Sequence, residues 1–154
     1  MTPSVFARYP GLSGKPVFIS GGATGIGEMI VRAFAAEGAR VGFVDLAEAD
    51  GRNLAEELNA SGGDVTFRAA DVTDIGAYQR TIREIEEIQG ATTVLVNNAA
   101  NDTRHDWREV TPEYFDQRIA VNLRHMFFAI QAVAPAMIAA GGGSIINCGS
   151  VGWM

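Results

Sequence analysis

The chain has 154 residues, which suits a single domain built around one hydrophobic core. Hydrophobic residues make up 47% of it, charged residues 19%, and 18 residues are glycine; this composition is typical of a well-packed globular domain and excludes a disordered or coiled-coil chain. The formal net charge of -6 disfavours binding to nucleic acid or to an anionic membrane surface, because their phosphates would be repelled.

Cysteine, histidine and hydropathy narrow the functional classes further. Cys148 is the only cysteine, so neither an intrachain disulfide nor a cysteine-based metal site is expected. Two histidines at unsuitable spacing give no reason to assign a metal. The first residues contain no apolar signal segment, and the longest apolar stretch, 126–140, is too short to span a bilayer. We therefore predict a cytoplasmic protein with no membrane or nucleic-acid partner.

Strands and helices alternate along the sequence. Short apolar runs between turn residues predict five strands, at Pro16–Ser20, Arg40–Asp45, Val65–Ala69, Thr92–Asn97 and Ser144–Cys148. Helical periodicity predicts segments that end near Gly38 and near Ala60, a third over Ile75–Ile88, and a long one that is capped by Thr111 and runs toward Pro135. The last is apolar on nearly all sides and is predicted to be buried.

This alternation predicts the fold class. Nearly continuous apolar strands with helices between them indicate an α/β protein with a parallel sheet that is covered on both faces. Right-handed crossovers make a doubly wound, Rossmann-type sheet the expected arrangement, formed here by a single domain over residues 1–154.

A glycine-rich turn lies between the first strand and the first helix. It reads G-x-x-x-G-x-G, and its candidate cofactor contacts are Gly21, Thr24, Gly25, Ile26 and Gly27. Glycines there allow a tight turn and let the backbone approach a pyrophosphate at the helix start. The position between strand and helix favours nucleotide binding over the alternative of a simple tight loop.

Asp45 closes the second strand, where an acidic side chain can hold the ribose hydroxyls of adenosine. A carboxylate would repel a 2'-phosphate, and neither Ala23 nor Thr24 supplies a positive charge to attract one. NAD is therefore predicted as the cofactor in preference to NADP. The alternative interpretation is that Asp45 is an ordinary acidic turn residue with no role in cofactor binding.

Several motifs, in order, resemble those of the short-chain dehydrogenase/reductase family from Leu12 onward. They are Gly21–Gly27, Asp71-Val72, Asn97–Ala100, Val121-Asn122 and Ser144–Ser150. The resemblance implies that Asp71 and Val72 bracket the adenine and that Asn98, Ala99 and Ala100 run beneath the cofactor. It also implies that Asn122 holds a proton-relay water, that Ser150 is the catalytic serine, and that the complete enzyme is a homo-oligomer, either a dimer or a tetramer. Ala100 and Gly149 replace a common glycine and a common serine.

The family's general base has no counterpart in this sequence. Its tyrosine and lysine follow the serine, whereas Tyr9, Tyr78, Tyr114 and the only lysine, Lys15, all precede Ser150. We therefore expect this sequence to be the N-terminal part of an enzyme, without the last two strands of the family sheet. By itself it should be inactive, because it has no general base, and poorly soluble, because the edge of its fifth strand is exposed. Alternatives are a non-catalytic NAD-binding protein and a reductase of oxoacyl or ketone substrates.

The loop NDTRHDW, residues 101–107, follows the fourth strand and offers hydrogen-bond donors and acceptors in succession. With the stretches VNLRHMFF, QAVAP and GGGSIINCGS it is similar to bacterial aldose dehydrogenases of the D-xylose 1-dehydrogenase type, which oxidise the anomeric hydroxyl of an aldose to a lactone with NAD. We therefore expect a sugar substrate that Asn101 or His105 helps to hold near Ser150, with Trp153 closing one side. The alternatives are that loop 101–107 is merely solvated and that Trp153 only contributes to packing.

Overall fold

Five parallel strands form one sheet in the computed structural model, which describes residues 7–150. The strands are β1 (Pro16–Ser20), β2 (Arg40–Asp45), β3 (Asp64–Ala69), β4 (Val94–Asn97) and β5 (Ser144–Asn147). Their order across the sheet is β3-β2-β1-β4-β5. The predicted α/β class and the doubly wound parallel sheet are confirmed.

The strand order reverses at β1. The chain adds β2 and β3 on one side of β1 and then crosses to the other side for β4 and β5. In such a sheet the two flanking loops diverge at the carboxyl ends of β1 and β4, and the crevice between them is where doubly wound folds bind ligands. The topology therefore predicts a ligand-binding site at the carboxyl ends of β1 and β4.

The described residues also form five α-helices, of which all but the fourth pack against this sheet. They are α1 (Gly25–Ala36), α2 (Glu48–Ala60), α3 (Ile75–Gln89), α4 (Pro112–Ile119) and α5 (His125–Ala139), with 3-10 turns at Pro10–Leu12 and Trp107–Glu109. Side chains of β1 alternate between the faces: Val17 and Ile19 pack in the core layer with α1 and α2, and Phe18 packs in the layer with α3 and α5. Within residues 7–150, every helix is too short or too polar to traverse a lipid bilayer.

The predicted long helix is divided into two α-helical parts. Thr111 caps α4 as predicted, its side chain accepting a hydrogen bond from the Tyr114 amide at 3.2 Å. A π-helical turn over Ala120–Arg124 then joins α4 to α5. Helix α5 continues beyond Pro135, because this proline lies on the solvent side, where water can hydrate the carbonyl that lacks an amide partner.

The prediction that this helix is buried is wrong for one of its sides. Four large apolar side chains at intervals of four residues are between 39% and 63% exposed: Phe115, Ile119, Leu123 and Phe127. The opposite side, with Ala129, Val133 and Met137, packs on the sheet. Composition cannot reveal this division, since residues of both sides are apolar.

His125 lies at the start of α5 and is completely buried, with its ring edge-on to Tyr78 at a centroid distance of 6.1 Å. Burial lowers its pKa, because the charged imidazolium is poorly solvated there. His125 in the folded state therefore takes up a proton less readily than in the unfolded chain. Its contribution to the free energy of unfolding is complete above the ordinary histidine pKa of about 6.5 and is lost as the pH falls below that value.

We expect the free energy of unfolding of the wild type to decrease by up to about 1.4 kcal/mol per pH unit, relative to His125→Phe, as the pH falls from about 6.5 to 5. Urea unfolding of both proteins across this range measures the difference. Parallel pH profiles for wild type and His125→Phe would contradict the assignment.

Candidate active site

A cleft runs along the carboxyl ends of β1 to β4. It is lined by the loops that follow these four strands and by one residue of the π-helical turn: Gly21, Thr24, Asp45, Leu46, Ala70, Asp71, Val72, Asn98, Ala99, Ala100 and Val121. Eight of these eleven were predicted as cofactor contacts from the sequence. Leu46, Ala70 and Val121 were not, because an apolar side chain carries no chemical signal of its own, even within a motif such as Val121-Asn122.

Two glycines of the first loop are required by close contacts. Gly21 has φ +70, and a Cβ there would lie 2.7 Å from the Cα of Ala99. A Cβ on Gly27 would lie 1.7 Å from the carbonyl oxygen of Gly21 and 2.7 Å from the Asn98 side-chain nitrogen. The loop, the first turn of α1 and the segment after β4 therefore meet in a space that only glycine leaves open.

The start of α1 suits a pyrophosphate. Gly25 has φ +58, and a Cβ added to it would meet no described atom within 4 Å, so its outer side is open. Thr24 is the N-cap and makes no side-chain capping hydrogen bond within the described chain, which leaves the first amide groups of α1 available to an anion. Ile26 follows in the same turn and is 72% exposed. These features fit the phosphates of a dinucleotide.

Ser20 joins the two loops on either side of the crevice, and sequence reasoning missed this role. Its buried hydroxyl accepts hydrogen bonds from the amides of Asn98 at 3.1 Å and Ala99 at 3.2 Å. The Asn98 side chain in turn donates to the carbonyl of Gly21 at 2.7 Å. The sequence offered one indication of this role, because Ser20 is the single polar residue at the end of the otherwise apolar run of β1.

Asp45 lines the cleft, and it also supports the backbone. Its two carboxylate oxygens accept hydrogen bonds from the amides of Ala23 at 2.9 Å and Ala47 at 3.0 Å. A carboxylate has about four lone-pair positions, so capacity remains for ribose hydroxyls. Arg32, a neighbouring cation on α1, is held by Glu57 and Glu28.

The predicted adenine contacts follow β3. Asp71 accepts hydrogen bonds at one carboxylate oxygen from the amide and hydroxyl of Thr73, at 2.8 and 2.7 Å. Val72 is only 7% exposed and packs in the core layer with α3 and α5. The turn is thus anchored by a side-chain hydrogen bond on one side and by core packing on the other, and both residues line the cleft.

Asn122 lies in the π-helical turn and clamps the loop after β4. Its side-chain oxygen accepts from the Asn101 amide at 2.7 Å, and its side-chain nitrogen donates to the Asn101 carbonyl at 3.1 Å. Sequence reasoning expected this residue to hold a water. The structure shows both polar atoms of its side chain engaged by the Asn101 backbone, and the water-holding role stays a prediction.

Ser150 and His105, two further predicted site residues, lie at the same edge of the sheet. The Cys148 amide donates to the Asn97 carbonyl at 2.9 Å, so Ser150 leaves the sheet beside the loop after β4. His105 lies in that loop, with its Nδ1 2.7 Å from the Tyr114 hydroxyl. Trp153 is outside the described residues.

Comparison with known proteins agrees with this geometry. Residues 15–153 match the family described as short chain dehydrogenase. The chain is 46% identical over 147 residues to D-xylose 1-dehydrogenase of Caulobacter vibrioides, covering 96% of this chain and 58% of that protein. It is 42% identical over 149 residues to the probable galactose dehydrogenase of Rhizobium meliloti, again covering 96% and 58%.

The backbone fold is also similar to that of solved structures. A blue fluorescent protein from a metagenomic library, in complex with NADPH, has a TM-score of 0.82 and 34% identity, covering 91% of this chain and 57% of that one. The chain therefore spans somewhat more than half the length of the relatives that it matches. With a family match over most of its residues and the dinucleotide cleft in place, the chain belongs to the short-chain dehydrogenase family.

Proposed function

We propose that the whole protein is an NAD-dependent aldose dehydrogenase that oxidises the anomeric hydroxyl of a sugar to a lactone in the cytoplasm. The observation that carries the proposal is the continuity between the cleft and the polar loop. The cleft lining ends at Ala100, and the loop of hydrogen-bonding side chains begins at the next residue, where Asn122 clamps it. Two relatives with names of sugar dehydrogenases support the same substrate class.

The cofactor would lie along the cleft. The amides of α1 behind Thr24 and Gly25 would meet the pyrophosphate, Asp45 the adenosine ribose, and Asp71 with Val72 the adenine. Asn98, Ala99 and Ala100 would lie under the nicotinamide end. Bound NAD supplies the acceptor for a hydride.

Charge at the adenosine end favours NAD. Asp45 would repel a 2'-phosphate, and the guanidinium of Arg32 is already paired with the carboxylate of Glu57 at 2.6 and 2.7 Å. A phosphate would therefore compete with the Glu57 carboxylate for this cation.

The sugar would be bound at the carboxyl edge of β4 and β5. Ser150 would donate a hydrogen bond to the reacting oxygen, and Asn122 would keep the proton-relay water near it through the loop that it orders. Asn101 and His105, with Trp153 on one side, would contact the remaining hydroxyls. The hydroxyl proton would pass to the tyrosine that the family places after the serine, with positioning and a matched pKa supplying the rate.

A homo-oligomer is part of the proposal. The exposed apolar side of α4 and α5, with Phe115, Ile119, Leu123 and Phe127, supports a second copy of this chain as its cover, because contiguous exposed apolar side chains of this size are typical of interfaces between subunits.

A substrate panel tests the function. Whole protein with NAD should form NADH with one or more pentoses or hexoses, and Ser150→Ala should lower kcat. Acetoacetyl thioesters with NADH form the parallel arm. Reduction of thioesters without oxidation of any aldose would favour the ketone-reductase alternative, and cofactor binding without turnover in either arm would favour a non-catalytic NAD-binding protein.

A further inference from the structure

His105, Tyr114 and Arg118 form a cluster that ties the polar loop to α4. The Tyr114 hydroxyl is 2.7 Å from Nδ1 of His105, and the two rings meet edge to face with centroids 4.6 Å apart. The Arg118 guanidinium lies over the Tyr114 ring at 4.6 Å and donates a hydrogen bond to the Asn101 carbonyl at 3.2 Å. Sequence reasoning assigned no role to Tyr114 or Arg118.

The spacing of these side chains is regular. Tyr114, Arg118 and Asn122 follow one another at intervals of four residues, so they lie on one side of α4 and the π-helical turn. Each of them contacts the loop: Tyr114 at His105, and the other two at the backbone of Asn101. Both loop residues that were predicted to contact substrate are therefore held by this one side of the helix.

The hydrogen bond to Nδ1 has a consequence for the other ring nitrogen. A neutral imidazole carries one N–H donor and one acceptor nitrogen, and a hydrogen bond at one nitrogen selects the tautomer at the other. A phenol is a better donor than a neutral imidazole N–H, so the Tyr114 hydroxyl donates and Nδ1 accepts. The proton of His105 then lies on Nε2, the nitrogen that a substrate can engage.

We propose that Tyr114 and Arg118 are positioning residues that set sugar affinity, by fixing the loop and by holding His105 in the tautomer that offers an Nε2–H donor to a sugar oxygen. This inference rests on the proposed aldose dehydrogenase function and deepens it. It separates residues that touch the sugar, Asn101 and His105, from residues that act through them.

Kinetics of the whole protein provide the first test. Tyr114→Phe removes the hydroxyl and keeps the ring beneath Arg118, so KM for the preferred aldose should rise roughly three- to tenfold, with kcat and KM for NAD nearly unchanged. Tyr9→Phe, at an exposed tyrosine whose amide contacts Glu37 at the end of α1, is the matched control. Arg118→Met should raise the same KM, and Arg118→Lys should restore it only in part.

A double-mutant cycle separates positioning from a general structural effect. If Tyr114 acts through His105, Tyr114→Phe should have no further effect on KM in a His105→Ala background. Additive effects of the two substitutions, or equal changes in KM for aldose and NAD, would overturn the proposal.

Nitrogen NMR of the labelled, substrate-free protein reads the tautomer directly. The His105 signal, identified by its loss in His105→Ala, should report a proton on Nε2, and Tyr114→Phe should shift it toward a mixture of tautomers. A proton on Nδ1 in the wild type would overturn the proposal whatever the substrate. The expected tautomer in a protein that oxidises no aldose would instead overturn the proposed function, and with it the sugar-affinity role.

Discussion

Gly27→Ala is expected to abolish tight NADH binding and to lower the free energy of unfolding by about 3 kcal/mol or more. The added methyl carbon would lie 1.7 Å from the carbonyl oxygen of Gly21 and 2.7 Å from the side-chain nitrogen of Asn98. The first of these is a backbone atom, so relief requires α1 to move away from the loop. That movement displaces the amide groups proposed to bind the pyrophosphate.

Gly76→Ala is the matched control, since it also lies in the first turn of a helix. A Cβ there would have no described neighbour closer than 3.5 Å, so the substitution should be neutral or stabilising by up to about 1 kcal/mol. Fluorescence titration with NADH and thermal unfolding of the three proteins measure both effects. Wild-type affinity and stability in Gly27→Ala would contradict the described loop geometry.

Asp45→Ala is expected to narrow or reverse the preference for NAD over NADP, by roughly 1–3 kcal/mol in the ratio of kcat/KM values. The change removes the charge that repels a 2'-phosphate and the acceptor for the ribose hydroxyls. It also removes the partner of the Ala23 and Ala47 amides, so affinity for both cofactors should fall.

Asp45→Asn distinguishes the two contributions. The amide keeps the shape and one acceptor oxygen but carries no charge, so it should lose discrimination against NADP with a smaller loss of stability than Asp45→Ala. Side-by-side kinetics of the whole protein with both cofactors measure the preference. A wild type that prefers NADP would show that the interpretation of Asp45 is wrong.

Much of the fold was readable from local patterns. The apolar runs of β1, β2 and β4 are bounded by glycine, proline and polar residues, and each became a strand of the parallel sheet. The glycines of the first loop were also recognisable, because a strand followed by such a turn and an amphipathic helix has few other uses. These signals are strong because each depends on neighbours within a few residues.

The division of the long helix was not readable in this way. Its apolar residues gave no periodic contrast between Phe127, which is exposed, and Val133, which packs on the sheet. The π-helical turn and the continuation beyond Pro135 depend on how the helix lies against the sheet. In a helix that is apolar on all sides, the packing against the sheet therefore decides which side chains are buried.

The sequence by itself determined the family motifs, the order of strands and helices along the chain, and most of the residues that line the cleft. Only the tertiary structure decided how these side chains are held. Ser20 joins the segment after β4, Asn122 clamps Asn101, and Tyr114 pairs with His105. The physical reason is that a hydrogen bond between residues far apart in the chain has no local period, and it exists only where the sheet and helices have brought the two partners together.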